Sequence, residues 1–149
     1  MMIPPLPHNS TTLVLRRTFP ATRHRVFQAW VEPEALEQWF KPLGMSVTVR
    51  SLEARVGGSF RFETEDGNST VGTYLSIIPP EKLVFTWSGG ATQGRETVVT
   101  LDFLDWGPVT EVVLTHERLS TPELHETFGA GWQSLLDALA SMLSPRLDT

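Results

Sequence analysis

The chain has 149 residues, of which 40% are hydrophobic and 19% charged, so its size and composition predict one globular domain with a buried core. The net charge of −5 argues against a nucleic-acid partner, because proteins that bind phosphate backbones normally carry a basic face. The absence of cysteine excludes disulfides, thiolate catalysis and cysteine metal sites.

Residues 1–10 predict a flexible tail that precedes a single domain over residues 11–149. Pro4, Pro5 and Pro7 lie in this first stretch, which lacks the charged and apolar regions of a signal peptide. No apolar run in the sequence approaches the roughly 20 residues that a membrane span needs. Together with the absence of cysteine, these features favour a cytoplasmic protein.

The next segments predict one strand and two short helices. Residues 12–19 alternate between apolar and polar side chains, which is the pattern of a half-buried strand. Thr22 is the predicted N-cap of a helix that continues to about Val31. Pro33 fits the first turn of a second short helix that ends near Phe40.

From about Met45 the hydrophobic period changes to two, which predicts six further strands. The segments that separate them are rich in glycine and proline: Gly57-Gly58, Asp66-Gly67, Pro79-Pro80, Ser88–Gly94 and Trp106–Pro108. In residues 70–78 both faces carry apolar side chains, so the inward face of that strand stays open. The last strand places Val112, Leu114 and His116 on one face.

The final segment predicts a long amphipathic helix over about residues 122–143. Two start signals are present: a capping-box spacing from Ser120 to Glu123, or Thr121 as the cap with Pro122 at the first helical position. An apolar stripe follows at a spacing of three to four residues. It consists of Leu124, Phe128, Trp132, Leu135, Leu139 and Met142.

Two glycines, Gly129 and Gly131, interrupt this helix. Each costs about 1 kcal/mol relative to alanine in a helix interior. Two explanations remain open: a backbone or a ligand comes close to the helix there, or glycine is tolerated where the helix packs on the sheet.

The order of these elements predicts an α+β helix-grip fold, in which a seven-stranded antiparallel sheet wraps around the C-terminal helix and two short helices lie between strands 1 and 2. A curved sheet closed over one helix leaves an apolar hollow, and pockets of this type measure about 300–1,000 Å³. The predicted wall of this cavity, and hence the candidate ligand-binding site, consists of Trp39, Phe60, Phe62, Phe85, Trp87, Leu101, Leu114, His116, Phe128 and Trp132.

Short motifs in register along the chain resemble a known family. They are Phe19–Thr22 (FPAT) leading into Val26–Trp30 (VFQAW), Trp39-Phe40, Val56–Phe62 (VGGSFRF), Pro79–Trp87 (PPEKLVFTW), Leu114–Glu117 (LTHE) and Gly131-Trp132. This pattern resembles domains homologous to the activator of heat-shock protein 90 ATPase, which belong to the START-like, or SRPBCC, superfamily. The resemblance extends over about residues 12–143 and implies the same helix-grip fold.

The resemblance implies several functions, because the superfamily is similar in shape and diverse in role. Its members include lipid carriers, polyketide cyclases, plant hormone receptors and chaperone partners. Three hypotheses follow: binding of a small hydrophobic or amphipathic ligand in the cavity, a chaperone-associated protein-interaction module, or a cyclase or lyase that uses the same cavity. The partner is accordingly a small hydrophobic ligand or a protein, and the oligomeric state stays open.

His116 is the histidine predicted to face the long helix from a strand. It has two interpretations: an imidazole that orients the polar end of a ligand or acts as acid or base, or a core histidine hydrogen-bonded to neighbouring protein groups. His125 and Glu126 lie nearby on the helix, but they show no recognisable metal-ligand spacing with it.

No cofactor is predicted, since a phosphate-binding glycine motif is absent. Nucleophilic catalysis is not supported either, because there is no Gly-x-Ser-x-Gly motif and no serine with an evident histidine partner. No catalytic or metal-binding residue is therefore assigned.

Overall fold

A computed structural model describes residues 12–144 of the protein, and the predicted tail over residues 1–10 lies outside them. The strands are β1 (Leu13–Phe19), β2 (Val47–Leu52), β3 (Ser59–Thr64), β4 (Ser69–Ile78), β5 (Lys82–Gly89), β6 (Thr97–Trp106) and β7 (Val109–Glu117). The α-helices are α1 (Arg23–Val31), α2 (Pro33–Trp39) and α3 (Pro122–Leu143), with single 3₁₀ turns at Pro42–Gly44 and Gly90–Thr92.

The seven strands form one sheet in the order β1-β7-β6-β5-β4-β3-β2, and all neighbours pair antiparallel. Strands β2 to β7 are thus a meander, and β1 joins its far edge next to β7. Leu83 faces Leu101, and Leu101 faces Leu114, so three fully buried leucines cross the middle of the concave side. The predicted helix-grip fold is confirmed.

The inward face of β4, which the sequence left open, is the face of Gly72 and Tyr74. Both residues are buried, whereas Val71 and Leu75 are exposed. A Cβ atom on Gly72 would collide with the carbonyl oxygen of Thr86 and with the ring of Phe60. Glycine at this position therefore lets the Phe60 ring lie directly on the strand.

Helix α3 begins with the second of the two predicted start signals. The Thr121 side chain accepts a hydrogen bond from the Leu124 N–H at 3.1 Å, and Pro122 is the first helical residue. Thr22 also occupies the predicted N-cap of α1, but its side chain makes no capping hydrogen bond. The buried side of α3 consists of Trp132, Leu135, Leu136, Leu139 and Leu143.

Neither glycine of α3 is required by a close contact with the described residues. A Cβ atom on Gly129 would lie 3.6 Å from Cδ1 of Leu13, which is ordinary van der Waals contact. A Cβ atom on Gly131 would meet no atom within 4 Å, and the position is exposed. The explanation that a backbone approaches the helix at these glycines is therefore wrong.

We expect Gly131→Ala to raise the free energy of unfolding by about 0.5–1 kcal/mol, because alanine restricts the unfolded chain and meets no neighbour in the helix. Gly72→Ala is the matched variant with the opposite expected effect. We expect it to lower the free energy of unfolding by about 1–3 kcal/mol, because the added methyl group overpacks against Phe60 and Thr86. Urea denaturation of the three proteins measures both changes. A destabilising Gly131→Ala would instead reveal a contact at that helix face.

Candidate functional site

Aromatic side chains converge where α1 and α2 meet strands β3, β4 and β5. They surround a small void of about 10 Å³. We call the group that lines this void the aromatic pocket: Trp30, Leu36, Phe40, Phe60, Phe62, Tyr74, Phe85 and Trp87. Helices α1 and α2 supply Trp30 and Leu36, Phe40 directly follows α2, and alternate positions of three neighbouring strands supply the other five.

The rings of the aromatic pocket contact one another closely. Phe60 stacks on Phe62 with 4.8 Å between ring centroids and meets Phe85 edge-on at 5.5 Å. From the helix side, Phe40 packs against Phe62 at 5.5 Å and against Trp87 at 5.6 Å. Such aromatic pairs contribute about 0.5–1.5 kcal/mol each beyond the burial of their area. The wall of the void is therefore well packed.

Within residues 12–144, the large hollow predicted between the long helix and the sheet is not found. A volume of about 10 Å³ is close to the space of a single water molecule. The void also lies towards α1 and α2 rather than against α3. The prediction was made from the inward faces of the strands, and rings from the short helices fill the expected space: Trp30 packs at 4.7 Å on Trp39 and at 6.1 Å on Trp132.

Four of the ten predicted site residues, Phe60, Phe62, Phe85 and Trp87, line the aromatic pocket. Six others lie elsewhere: Trp39, Leu101, Leu114, His116 and Trp132 are fully or almost fully buried in the core, and Phe128 is half-buried on α3. The pocket residues that the sequence analysis missed are Trp30, Leu36, Phe40 and Tyr74. The sequence predicts the two short helices but not which strand residues they meet, and it leaves the inward face of the strand that carries Tyr74 open.

His116 lies in a fully buried hydrogen-bond chain between α3 and the sheet. The Trp132 Nε1–H donates to His116 Nδ1 at 3.0 Å. His116 Nε2 lies 2.8 Å from the Thr97 hydroxyl, which donates onward to the carbonyl oxygen of Trp87 at 2.6 Å. The ring of Phe128 covers the imidazole edge-on at 4.6 Å.

This chain determines the charge and the tautomer of His116. Since the indole N–H can only donate, Nδ1 must accept, and Nε2 carries the proton that goes to Thr97. Burial lowers the pKa of His116 from its ordinary value of 6.5 to about 4, so the imidazole is neutral at pH 7. Both ring nitrogens are hydrogen-bonded to protein groups. This arrangement is that of a core histidine, the second of the two interpretations that the sequence allows.

The indole N–H of Trp30 has no hydrogen-bond partner in the described part of the chain, unlike that of Trp132. Its side chain is only 6% exposed, and its Nε1 is the single buried side-chain nitrogen or oxygen in residues 12–144 without a hydrogen-bond partner. Across the same void, burial raises the pKa of the Tyr74 phenol, so this group stays protonated. The aromatic pocket is thus apolar and uncharged, with one unsatisfied donor in its wall.

A second concave region lies between the start of α1 and residues of β4, β5 and β6 with their connecting turns, and it is open to solvent. This cleft measures about 500 Å³, and its rim combines Arg23, Glu81, Lys82, Asp102 and Asp105 with exposed apolar side chains that include Trp106. In the part of the chain that the structure describes, no three His, Asp or Glu side chains are placed to hold a metal ion. Nor is any helix within residues 12–144 long and apolar enough to cross a membrane.

The sheet, the long helix that it encloses and the two short helices after the first strand define a helix-grip α+β protein. The family model described as Activator of Hsp90 ATPase homolog 1-like protein matches residues 20–144. The chain therefore belongs to this family, and the resemblance noted in the sequence is confirmed. No curated protein matches the chain significantly.

Several solved structures have the same fold. Protein CV1439 from Chromobacterium violaceum is 26% identical, with a TM-score of 0.82 and coverage of 91% of this chain and 99% of that one. A protein from Rhodobacter sphaeroides is 27% identical, with a TM-score of 0.77 and coverage of 92% and 95%. CalU16 from Micromonospora echinospora is 26% identical, with a TM-score of 0.69 and coverage of 90% and 76%. These similarities establish fold and family and specify no ligand.

The buried His116 predicts a pH dependence of stability. Because its folded pKa lies below its unfolded pKa, its contribution is fully present above pH 6.5 and is lost as the pH falls towards 4. Between pH 7 and pH 5 this loss amounts to roughly 2 kcal/mol.

Urea denaturation of the wild type and of His116→Gln measures the effect. The stability difference between them should shrink by that amount from pH 7 to pH 5, since groups common to both proteins cancel. A stability difference that does not change with pH would contradict the assignment of a neutral imidazole to His116. Imidazole ¹⁵N NMR of the wild type gives a second readout, which should show a proton on Nε2 at pH 7.

Proposed function

We propose that the protein binds a small hydrophobic or amphipathic ligand at the aromatic pocket. The observation that carries this proposal is the convergence of seven aromatic side chains and one leucine, from α1, α2 with the residue that follows it, and three strands, around one small void. Apolar walls of this kind are typical of small-molecule sites. Membership of the family supports the proposal because its fold is used for ligand binding.

Ligand entry requires side chains to move, because a void of about 10 Å³ holds no organic molecule. Phe40 is the wall residue best placed to do so. It follows the last residue of α2, and the segment after it, residues 41–46, is mostly exposed. Within that segment Leu43 is 94% exposed and has a left-handed φ of 55°, which is unfavourable for leucine.

Displacement of the Phe40 ring would extend the void. The ring packs at 5.6 Å on Trp87 and at 6.3 Å on Trp132, so its departure would leave a space beside these two indoles, which pack on each other at 5.4 Å. Trp132, one of the predicted site residues, would then contact the ligand together with the four that already line the void. His116 would remain behind Trp132, hydrogen-bonded to it.

The ligand is uncharged in its buried part. None of the side chains that line the pocket carries a formal charge at neutral pH, and the raised pKa of Tyr74 keeps its phenol neutral. Transfer of an unpaired ionised group into such a site would cost far more free energy than its contacts return. A charged end, where the ligand has one, would lie outside the aromatic wall.

A titration with 2-ethylnaphthalene, a neutral aromatic probe, tests the proposal. We expect saturable binding by calorimetry, and in ¹⁵N NMR the indole signals of Trp30 and Trp87 should shift while that of the exposed Trp106 stays in place. Native mass spectrometry of gently purified protein provides a second arm, with a co-purified small molecule as the expected result. A protein that binds neither the probe nor a co-purified molecule would contradict the proposal.

Phe85→Leu and Phe103→Leu form a matched pair of variants. Both remove a deeply buried ring, but Phe85 lines the pocket, whereas Phe103 packs on Phe27 outside it. We expect Phe85→Leu to weaken probe binding about twofold to tenfold, the equivalent of one aromatic pair, and Phe103→Leu to leave the affinity unchanged. Equal losses in the two variants would mean that binding reports general stability rather than this pocket.

A further inference from the structure

The unpaired N–H of Trp30 restricts the chemistry of the ligand. A buried donor without a partner costs about 1–3 kcal/mol, so nearly all such groups in folded proteins are satisfied. Trp30 Nε1 is the exception among the described residues, and its side chain lines the void of the aromatic pocket. An unpaired donor that costs stability and lies on a residue lining a cavity indicates that a bound molecule, rather than the protein, supplies its acceptor.

Three of the other four tryptophans have an indole N–H that donates a hydrogen bond to a protein group. Trp39 donates to the Ala29 carbonyl oxygen at 2.9 Å, and Trp132 donates to His116 at 3.0 Å. Even the exposed Trp106 donates to the Glu111 carboxylate at 3.2 Å. The Trp30 donor differs from these three because it is buried and has no hydrogen-bond partner within residues 12–144.

We infer that the ligand is an uncharged aromatic compound with a hydrogen-bond acceptor oxygen, and that this oxygen accepts the Nε1–H of Trp30. The inference rests on the proposed function and adds the ligand class to it. The flat rings of Phe60, Phe62 and Trp87 favour an aromatic body, since offset and edge-on ring pairs are their preferred contacts.

The acceptor is a neutral oxygen, such as that of a ketone, ester or ether, rather than a carboxylate. The pocket wall has no arginine, lysine or histidine to balance an anion, and the wall beside Trp30 is apolar. A single indole donor satisfies one neutral oxygen, whereas a buried carboxylate requires several donors or a cation. One competing partner is a single water molecule, for which the void is just large enough.

Two isosteric probes separate these possibilities: 2-acetylnaphthalene, which has a carbonyl oxygen, and 2-isopropenylnaphthalene, which has a CH₂ group in its place. Dissociation constants for both are measured with the wild type, Trp30→Phe and Trp106→Phe. Trp30→Phe removes the buried donor and keeps an aromatic ring, and Trp106→Phe removes an exposed indole as the matched control.

We expect the wild type and Trp106→Phe to bind the ketone about fivefold more tightly than the alkene, the equivalent of about 1 kcal/mol for one hydrogen bond. Trp30→Phe should bind the two probes equally. In ¹⁵N NMR of the wild type, the Trp30 indole proton should move downfield with the ketone and not with the alkene. This last readout stands even where Trp30→Phe fails to fold.

The possible failures are distinguishable. If both probes bind but the ratio of their affinities is the same in the wild type and in Trp30→Phe, the inference is overturned and the proposed function stands. A retained water on Trp30 would give this same unchanged ratio. If neither probe binds any of the three proteins, the proposed function fails and the inference fails with it.

Discussion

The hydrogen-bond chain from Trp132 through His116 and Thr97 to the Trp87 carbonyl oxygen is the constraint on which the core geometry depends. Hydrophobic contacts alone leave a helix free to slide or rotate on a sheet, whereas a buried polar chain is satisfied in one register only. Here the chain connects α3 to β7, β6 and β5 in turn. It therefore places the Trp87 backbone, and with it one wall of the aromatic pocket, at a defined distance from the long helix.

The pocket consequently has one firmly held wall and one wall that is held mainly by ring contacts. On the sheet side, Phe60 lies on Gly72, and Trp87 is paired across the strands with Thr97. On the helix side, Phe40 is joined to an exposed segment. Local opening concentrates where contacts are few, so the entry route that we propose passes Phe40.

Most of the fold could be predicted from the sequence because period-two segments between turn residues and one capped amphipathic helix leave few alternatives. Tyr74 could not be placed, since both faces of its strand are apolar. The pocket was placed wrongly because strand faces indicate where side chains point but not how much volume α1 and α2 contribute. The partners of His116 depend on a contact between α3 and β7 that spacing along the chain does not encode.

His116 and Trp30 represent opposite uses of a buried polar aromatic group. Both ring nitrogens of His116 are hydrogen-bonded to protein groups. Substitution of His116 would therefore disturb the position of α3 on the sheet rather than free a group for a ligand. Trp30 retains an unused donor on a side chain that lines the void of the aromatic pocket. Buried polar groups without hydrogen-bond partners are usually found at functional sites, because elsewhere nothing offsets the stability that they cost. The unsatisfied indole, rather than the histidine that the sequence made prominent, is therefore the group from which the chemistry of a ligand is best inferred.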